Sequence, residues 1–208
     1  MKRIITEIGL NHLGSSELAE KYLKFLFKKK IYGITFQLRE DSFYKKFPKL
    51  KLPFDFYTKV SKLCKKNKKK FGIAICSMDH NKLLKSLDID FIKVINRGLI
   101  NKRLIKYLFE SDVKKIYISL GNCTKNEIRK NYSFIDDKYK NKLIYVYTKN
   151  SSKNYDGYKS SSSKIKEINL KEISLLKKQF KVPIAFGHHF DDKKVIINSL
   201  IYNPYSLL

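Results

Sequence analysis

Tryptophan is absent from this sequence of 208 residues, and cysteine is scarce. The three cysteines, Cys64, Cys76 and Cys123, are odd in number and lack the paired spacing of a zinc site, so we interpret them as free thiols. No apolar run approaches the roughly 20 residues that span a bilayer, and the first residues lack the apolar core of a signal peptide. These absences predict a cytoplasmic protein, and the length predicts one domain over residues 1–208.

Acidic residues are also few, at 19 against 45 lysines and arginines, which leaves a net charge of +26. Lysine dominates this excess in runs such as 28–30 and 65–70, and it is spread over every predicted helix. A nucleic-acid surface more often concentrates arginine and aromatic residues on one element. We therefore interpret the lysines as solvated helix faces, expect no nucleic-acid or membrane partner, and keep a polyanion-binding surface as the alternative.

Short apolar segments alternate with amphipathic segments along the whole chain, which is typical of a parallel sheet covered by helices. The predicted strands are 2–8, 32–37, 71–76, 89–94, 114–119, 143–148 and 182–187. The predicted helices include 15–30, 54–69, 102–110, 125–132 and 170–180. Because no GxGxxG turn follows the first strand, the pattern favours a (β/α) barrel of the TIM type over a doubly wound sheet.

The predicted barrel is short or incomplete at its eighth strand and helix. Residues 203–208 are expected to form a partial strand between the first and seventh strands, because unpaired strand edges otherwise recruit partners. A long polar segment, 149–166, follows the sixth strand. It is either a flexible linker or a lid, since loops on this side of a barrel border the active site.

Polar residues recur where the predicted strands end, which is where a parallel barrel collects its chemistry. We predict that these side chains converge on one polar pocket. The set comprises Glu7, Asn11, His12, Gln37, Ser77, Lys93, Asn96, Ser119, Thr148 and His189. Glu7 is the strongest candidate because burying a carboxylate among isoleucines costs free energy. Such a carboxylate is expected to have a function or to pair with a lysine. His188 and His189 form a pair that is either a metal ligand or an ordinary loop feature.

Several of these residues lie in segments that resemble the sialic acid synthase family. Residues 5–14 resemble the family's opening AEIGxNHxG, and residues 35–37 resemble its KFQ. The resemblance continues in order through YKIASGD at 92–98, STGMAT at 119–124 and VPVGYSDHT at 182–190. It spans essentially the whole chain, although the small antifreeze-like C-terminal domain of the family is not expected here.

The resemblance implies a TIM-barrel enzyme of surface-carbohydrate biosynthesis that condenses phosphoenolpyruvate with an N-acetylated aminosugar. It also implies a divalent metal, Mn or Mg, and a homodimer. By this resemblance Glu7 acts at the sugar and its reacting carbonyl, whereas Lys93 and Ser119 hold phosphoenolpyruvate. Asn11, His12, Gln37, Ser77, Asn96 and Thr148 are the other substrate-binding candidates, and His189 is a metal ligand.

Some positions depart from the family pattern. Thr35 replaces the lysine of KFQ, and Val146 stands where a second metal-binding histidine is expected. His188 replaces an aspartate, and Asn96 and Arg97 replace a serine and a glycine. These differences weaken the expected metal and phosphate contacts. The alternative function is therefore a non-catalytic or repurposed barrel that binds a sugar, a nucleotide-sugar or a protein.

Overall fold

The structure, a computed structural model, describes residues 2–95, 97–149, 168–190 and 192–208. Within these residues eight parallel strands form a closed barrel in sequence order, which confirms the predicted fold. The strands are β1 (Arg3–Gly9), β2 (Gly33–Gln37), β3 (Lys70–Ile75), β4 (Phe91–Val94), β5 (Lys115–Ser119), β6 (Leu143–Tyr147), β7 (Ile184–Phe186) and β8 (Ser206–Leu207). Most of the predicted linker or lid at 149–166 lies outside the described residues.

Helices lie between consecutive strands and cover the outside of the barrel. They are α1 (Ser16–Phe27), α2 (Asp41–Lys46), α3 (Phe54–Lys66), α4 (Asn81–Ser86), α5 (Lys102–Glu110), α6 (Lys125–Phe134), α7 (Glu172–Phe180) and α8 (Lys193–Ser199). The local sequence determines where several of these helices begin. The Ser15 side chain accepts a hydrogen bond at the start of α1, and Thr124 and Glu127 form a reciprocal capping box at α6. None of the described helices has the length and apolar character needed to cross a membrane.

The two-residue strand β8 closes the barrel. Arg3 and Ile4 of β1 pair with Ser206 and Leu207, and Leu207 also pairs with Phe186 of β7. The expected partial strand between the first and seventh strands is thus confirmed.

The barrel interior is filled by side chains, and two glycines make room for the Phe91 ring. An inner cluster separate from the outer core contains Ile5, Phe91, Tyr117, Ile144, Val146 and Ala185. A methyl group added at Gly72 would lie 2.1 Å from the Phe91 ring, and one at Gly33 would lie 3.2 Å from it. These two positions must therefore stay small for Phe91 to lie inside the barrel.

Three lysines stabilise the end of the barrel at which the strands begin. Lys69 donates hydrogen bonds to the carbonyls of Lys29 and Ile31, just after α1. Lys142 donates to two carbonyls at the end of α5, and Lys177 to the carbonyls of Tyr202 and Asn203. Carbonyl groups at helix ends lack partners within the helix, and a lysine ammonium group satisfies them while complementing the helix dipole.

The Gly72–Phe91 contact gives a direct test of the interior packing. Gly72→Ala should lower the free energy of unfolding by about 1–3 kcal/mol, because the added methyl group overlaps the Phe91 ring. Urea unfolding measures this change. The double variant Gly72→Ala/Phe91→Leu should recover part of the loss relative to Phe91→Leu alone. Wild-type stability in Gly72→Ala would contradict the described interior.

Candidate functional site

Three predicted site residues are in direct contact at the end of the barrel where the strands finish. The Glu7 Oε1 atom accepts a hydrogen bond from Gln37 Nε2 at 2.6 Å, and Oε2 pairs with Lys93 Nζ at 2.5 Å. Glu7 is on β1, Gln37 on β2 and Lys93 on β4. These contacts place the carboxylate, the amide and the ammonium group in one cluster, which we call the Glu7 triad.

A small residue on the intervening strand leaves room for this contact. In the strand register Gln37 is opposite Ala74 of β3, and Ala74 is opposite Lys93. Ala74 carries only a methyl group, so at this position it leaves space inside the barrel for the long Lys93 side chain that reaches Glu7.

The Glu7 triad is shielded from water, and Glu7 is nevertheless ionised. The side chains of Lys93 and Glu7 are only 6% and 20% exposed. Burial by itself raises the pKa of Glu7, but the charge and hydrogen bond of Lys93, helped by the Gln37 hydrogen bond, outweigh it and hold the pKa below its usual value. The anticipated pairing of Glu7 with a lysine is present, and that lysine is itself a candidate site residue.

His189 lies within electrostatic reach of the Glu7 triad. The residue as a whole is exposed, yet its ring is crowded by protein atoms. This desolvation and the positive charge of Lys93 lower the pKa of His189, against the opposing effect of Glu7. The imidazole is therefore neutral near pH 7. Glu7, Gln37, Lys93 and His189 thus lie at the same mouth of the barrel.

The other candidates divide into three groups. Ser119 and Thr148 extend the inward-facing positions of β5 and β6 at the same mouth, and Ser119 is opposite Val146 in the strand register. Ser77 accepts a weak hydrogen bond from the backbone of Asp79 within the loop after β3, and Asn11 is exposed in the loop after β1. Asn96 lies outside the described residues.

His12 is placed behind the barrel wall and away from the Glu7 triad. Its ring is fully buried against Phe36, whose side chain belongs to the outer core, and Nδ1 accepts a hydrogen bond from the Gly14 backbone at 2.9 Å. Burial lowers the pKa of His12 to about 4, against a small opposing effect of the Gly9 carbonyl. In this position the neutral ring supports the loop after β1, and its role as a substrate-binding residue stays a prediction.

A buried ion pair above Gln37 was not among the predicted site residues. Arg39, which is 4% exposed, forms two hydrogen bonds to Glu40 and lies 4.0 Å above the Phe43 ring. Glu40 also accepts a hydrogen bond from Cys76. Burial raises the pKa of Glu40, but Arg39 and Cys76 lower it to about 2. The position of Arg39 in the sequence could have indicated it, because Arg39 lies two residues after Gln37, whose side chain points into the barrel.

The residues at the mouth do not suit a divalent metal. No three histidine, cysteine or carboxylate side chains gather into a possible metal site within the described ranges. Val146, at the position expected for a second histidine, is fully buried in the apolar inner cluster. His189 also faces the positive charge of Lys93, and Glu7 already pairs with that lysine. One imidazole beside an ammonium group is a poor ligand set for Mn²⁺ or Mg²⁺.

Comparison with known proteins supports the sequence resemblance. A family model described as the NeuB family matches residues 17–202. A search of curated protein sequences found no match. Among solved structures, the chain is similar to the N-acetylneuraminic acid (sialic acid) synthetase of Leptospira borgpetersenii serovar Hardjo-bovis, with a TM-score of 0.84 and 19% identity. The alignment covers 99% of this chain and 71% of that one.

Two further solved structures share the fold. The spore coat polysaccharide biosynthesis protein spsE of Bacillus subtilis has a TM-score of 0.83 and 15% identity, with 99% of this chain and 58% of that chain covered. A truncated 3-deoxy-D-arabino-heptulosonate 7-phosphate synthase of Thermotoga maritima has a TM-score of 0.69 and 13% identity, with coverages of 99% and 73%. At these identities the similarity establishes the fold alone.

The Glu7–Lys93 pair leads to a prediction about stability and pH. Lys93→Met should lower the free energy of unfolding by about 3–5 kcal/mol near neutral pH, because it leaves a buried carboxylate without its counter-ion. In the wild type the pKa of Glu7 is lowered, so its contribution is present above the unfolded value and is lost as pH falls through the folded pKa. In the variant, burial instead raises this pKa, so the difference between the two proteins should widen as pH rises through 4.5.

Urea unfolding at about pH 4 and about pH 7 measures this difference. Lys65→Met is the matched control because the Lys65–Asp88 pair is largely exposed. It should cost only about 0–1 kcal/mol at both pH values. A Lys93→Met loss that is equally large at both pH values would mean that packing, and not the ion pair, is the origin of the effect.

The poor match between the site residues and a divalent metal ion gives a separate prediction. Calorimetric titration with Mn²⁺ should detect binding in the high-micromolar range or weaker, because Val146 supplies no ligand and Lys93 repels the cation. His189→Ala should change the titration little. Tight one-to-one binding in the wild type that His189→Ala abolishes would show that other residues complete a site around His189.

Proposed function

Because the chain belongs to the NeuB family, we propose that it is a sugar-acid synthase-like enzyme that condenses phosphoenolpyruvate with an N-acetylated aminosugar. The observation that carries the proposal is the Glu7 triad, which places an ionised carboxylate and an ammonium group in contact at the mouth of the barrel. A condensation of this kind needs a cation for the anionic substrate and a group that transfers protons. Lys93 and Glu7 are of the required types.

The proposed roles follow from charge and position. Lys93 binds the carboxylate or phosphate of phosphoenolpyruvate, and its partly shielded site strengthens that attraction. Glu7 is ionised at neutral pH, so it accepts a proton from the water that adds to C2 of phosphoenolpyruvate and passes it to the oxygen of the former sugar aldehyde, while the new carbon–carbon bond forms and phosphate leaves from C2. Gln37 holds one carboxylate oxygen of Glu7 and so fixes its orientation. No step is assigned to a metal, since the ligand set does not suit one.

Charge balance at the mouth sets a condition on substrate binding. Three described cations near the strand ends are paired with carboxylates: Lys93 with Glu7, Arg39 with Glu40, and Arg97 with Glu127. An anionic substrate must therefore compete with Glu7 for Lys93. This competition predicts that binding and turnover respond in opposite directions when the Glu7 charge is removed.

The test uses Glu7→Gln. This variant should bind phosphoenolpyruvate more tightly than the wild type, because Lys93 loses its internal partner, yet it should release little or no phosphate in the presence of N-acetylmannosamine. Lys93→Met should lose phosphoenolpyruvate binding. Calorimetry measures binding and a colorimetric assay measures phosphate release. Glu127→Gln is the control, since it removes a rim carboxylate and keeps the capping geometry of α6. Equal turnover in the wild type and Glu7→Gln would contradict the proposed role of Glu7.

A second candidate function is sugar binding without turnover. Two observations favour it: Thr35 is buried where the resemblance places a lysine, and Val146 is buried where it places a histidine. Under this alternative the wild type binds the aminosugar, releases no phosphate, and binds phosphoenolpyruvate no better than inorganic phosphate. The same two measurements therefore separate the candidates.

A further inference from the structure

The segment that leaves β2 is fixed by side chains from other parts of the barrel. Its last bond of the sheet type joins the Leu38 amide to the Ala74 carbonyl at 2.9 Å. Beyond that point the Arg39 amide donates to the Tyr44 hydroxyl at 3.1 Å, and His80 Nε2 donates to the Arg39 carbonyl at 2.8 Å. Tyr44 belongs to α2, and His80 directly precedes α4. Both backbone groups of Arg39 therefore have side-chain partners at a position that has left the sheet.

The Arg39 side chain adds a further attachment to the same segment. Its guanidinium group binds Glu40 through two hydrogen bonds of 3.0 and 2.9 Å, and the Cys76 thiol donates to Glu40 at 2.9 Å. Cys76 directly follows β3. These contacts join the end of β2 to the end of β3, and Arg39 is buried among them. A segment held at so many points moves little, which is the property that a site needs from its support.

A chain of hydrogen bonds links Tyr44 to the backbone of Gln37. The Tyr57 hydroxyl contacts the Gln37 carbonyl at 3.4 Å, and the Tyr44 and Tyr57 hydroxyl groups bond to each other. Burial raises the pKa of both hydroxyl groups, so each keeps its single proton at neutral pH. In the order that satisfies every group, Tyr44 accepts from the Arg39 amide and donates to Tyr57. Tyr57 then donates to the Gln37 carbonyl, so Tyr44 supports the backbone on both sides of Leu38.

This support matters because Gln37 makes the hydrogen bond that orients Glu7. The Gln37 amide donates to Glu7 Oε1 at 2.6 Å, and the other carboxylate oxygen pairs with Lys93. A glutamine side chain has several rotatable bonds, so its amide reaches a fixed acceptor only when its backbone is held in place. A displacement of about 1 Å at a reacting group can lower a rate about a hundredfold.

We propose that Tyr44 is a positioning residue for the Glu7 carboxylate and that it acts through the backbone of Gln37. Its ring is buried in the outer core, so it does not reach a substrate at the mouth. Removing its hydroxyl leaves the Arg39 amide buried without an acceptor, and the segment shifts to recover one. The role in catalysis rests on the proposed function, whereas the hydrogen bond between Gln37 and Glu7 can be measured without turnover.

The first test is nuclear magnetic resonance of the Gln37 side-chain amide in isotope-labelled protein. In the wild type its signal should have the downfield proton position of an amide that is bound to a carboxylate. In Tyr44→Phe it should move towards its position in Glu7→Ala, where the acceptor is absent. Tyr145→Phe is the matched control, because it also removes a buried hydroxyl with one hydrogen bond, the one to Asn131 at 2.9 Å. It should leave the Gln37 signal at the wild-type position.

The second test measures phosphate release with phosphoenolpyruvate and N-acetylmannosamine. Tyr44→Phe should lower kcat by at least about tenfold, because Glu7 is no longer held in its productive direction. The KM for phosphoenolpyruvate should change by less than about twofold, since Lys93 is left in place. Tyr145→Phe should change neither constant. Urea unfolding should give similar midpoints for the two variants, because each loses one buried hydroxyl.

Tyr57→Phe provides a second variant if the Tyr44 hydroxyl is needed for folding. It removes the contact to the Gln37 carbonyl and leaves the Arg39 amide bound, so the Gln37 signal should move in the same direction by a smaller amount.

Two results would overturn the positioning role of Tyr44. The first is a Gln37 signal at the wild-type position in the folded variant. The second is an equal displacement of that signal in Tyr145→Phe, which would indicate a general loosening of the packing. A displaced signal in Tyr44→Phe together with no phosphate release by the wild type would contradict the proposed function and would still support the positioning role.

Discussion

The contact between Glu7 and Lys93 governs the chemistry that this barrel can support. The Glu7 carboxylate is buried inside the barrel, and the charge and hydrogen bond of Lys93 lower its pKa and so keep it ionised. Ala74, which lies between Gln37 and Lys93 in the strand register, leaves space for this pair because its side chain is a single methyl group. The same pair turns a positive charge towards His189, which disfavours a metal ion and places the family's usual metal chemistry in question here.

The fold was accessible from the sequence because its signals are repeated and local. Every predicted strand corresponds to an observed one within a few residues, and Ser15 and Thr124 mark helix starts in the way that capping chemistry requires. The convergence of Glu7, Gln37 and Lys93 followed from the rule that parallel strands share one end. His12 was harder to place. It belongs to a loop, where side chains have no alternating direction, and its ring turned towards the outer core instead of the mouth.

The lysines show where composition alone misleads. Most of them do lie on exposed surfaces, as their even spread suggested, but Lys69, Lys142 and Lys177 bind backbone carbonyls at helix ends. A pattern of charge cannot distinguish these three from their neighbours, because what matters is which carbonyls lie within reach in the folded chain. Arg39 was missed for a related reason. Arg39 pairs with the adjacent Glu40 and lies over Phe43, while Cys76, which binds Glu40, comes from a distant segment of the chain.

Closure of the barrel by β8 has a consequence for the order in which the chain folds. The pairing of Arg3 with Ser206 joins residues from opposite ends of the described chain, and the strand that makes it is two residues long. Forming this contact early would close a very long loop of chain, and the few hydrogen bonds gained would not offset the entropy lost. The contact is therefore unfavourable until the rest of the sheet is assembled. Closure should therefore be the last event of folding. Until then β1 presents an open edge, and a newly made chain would depend on its large positive charge to keep such edges apart from one another.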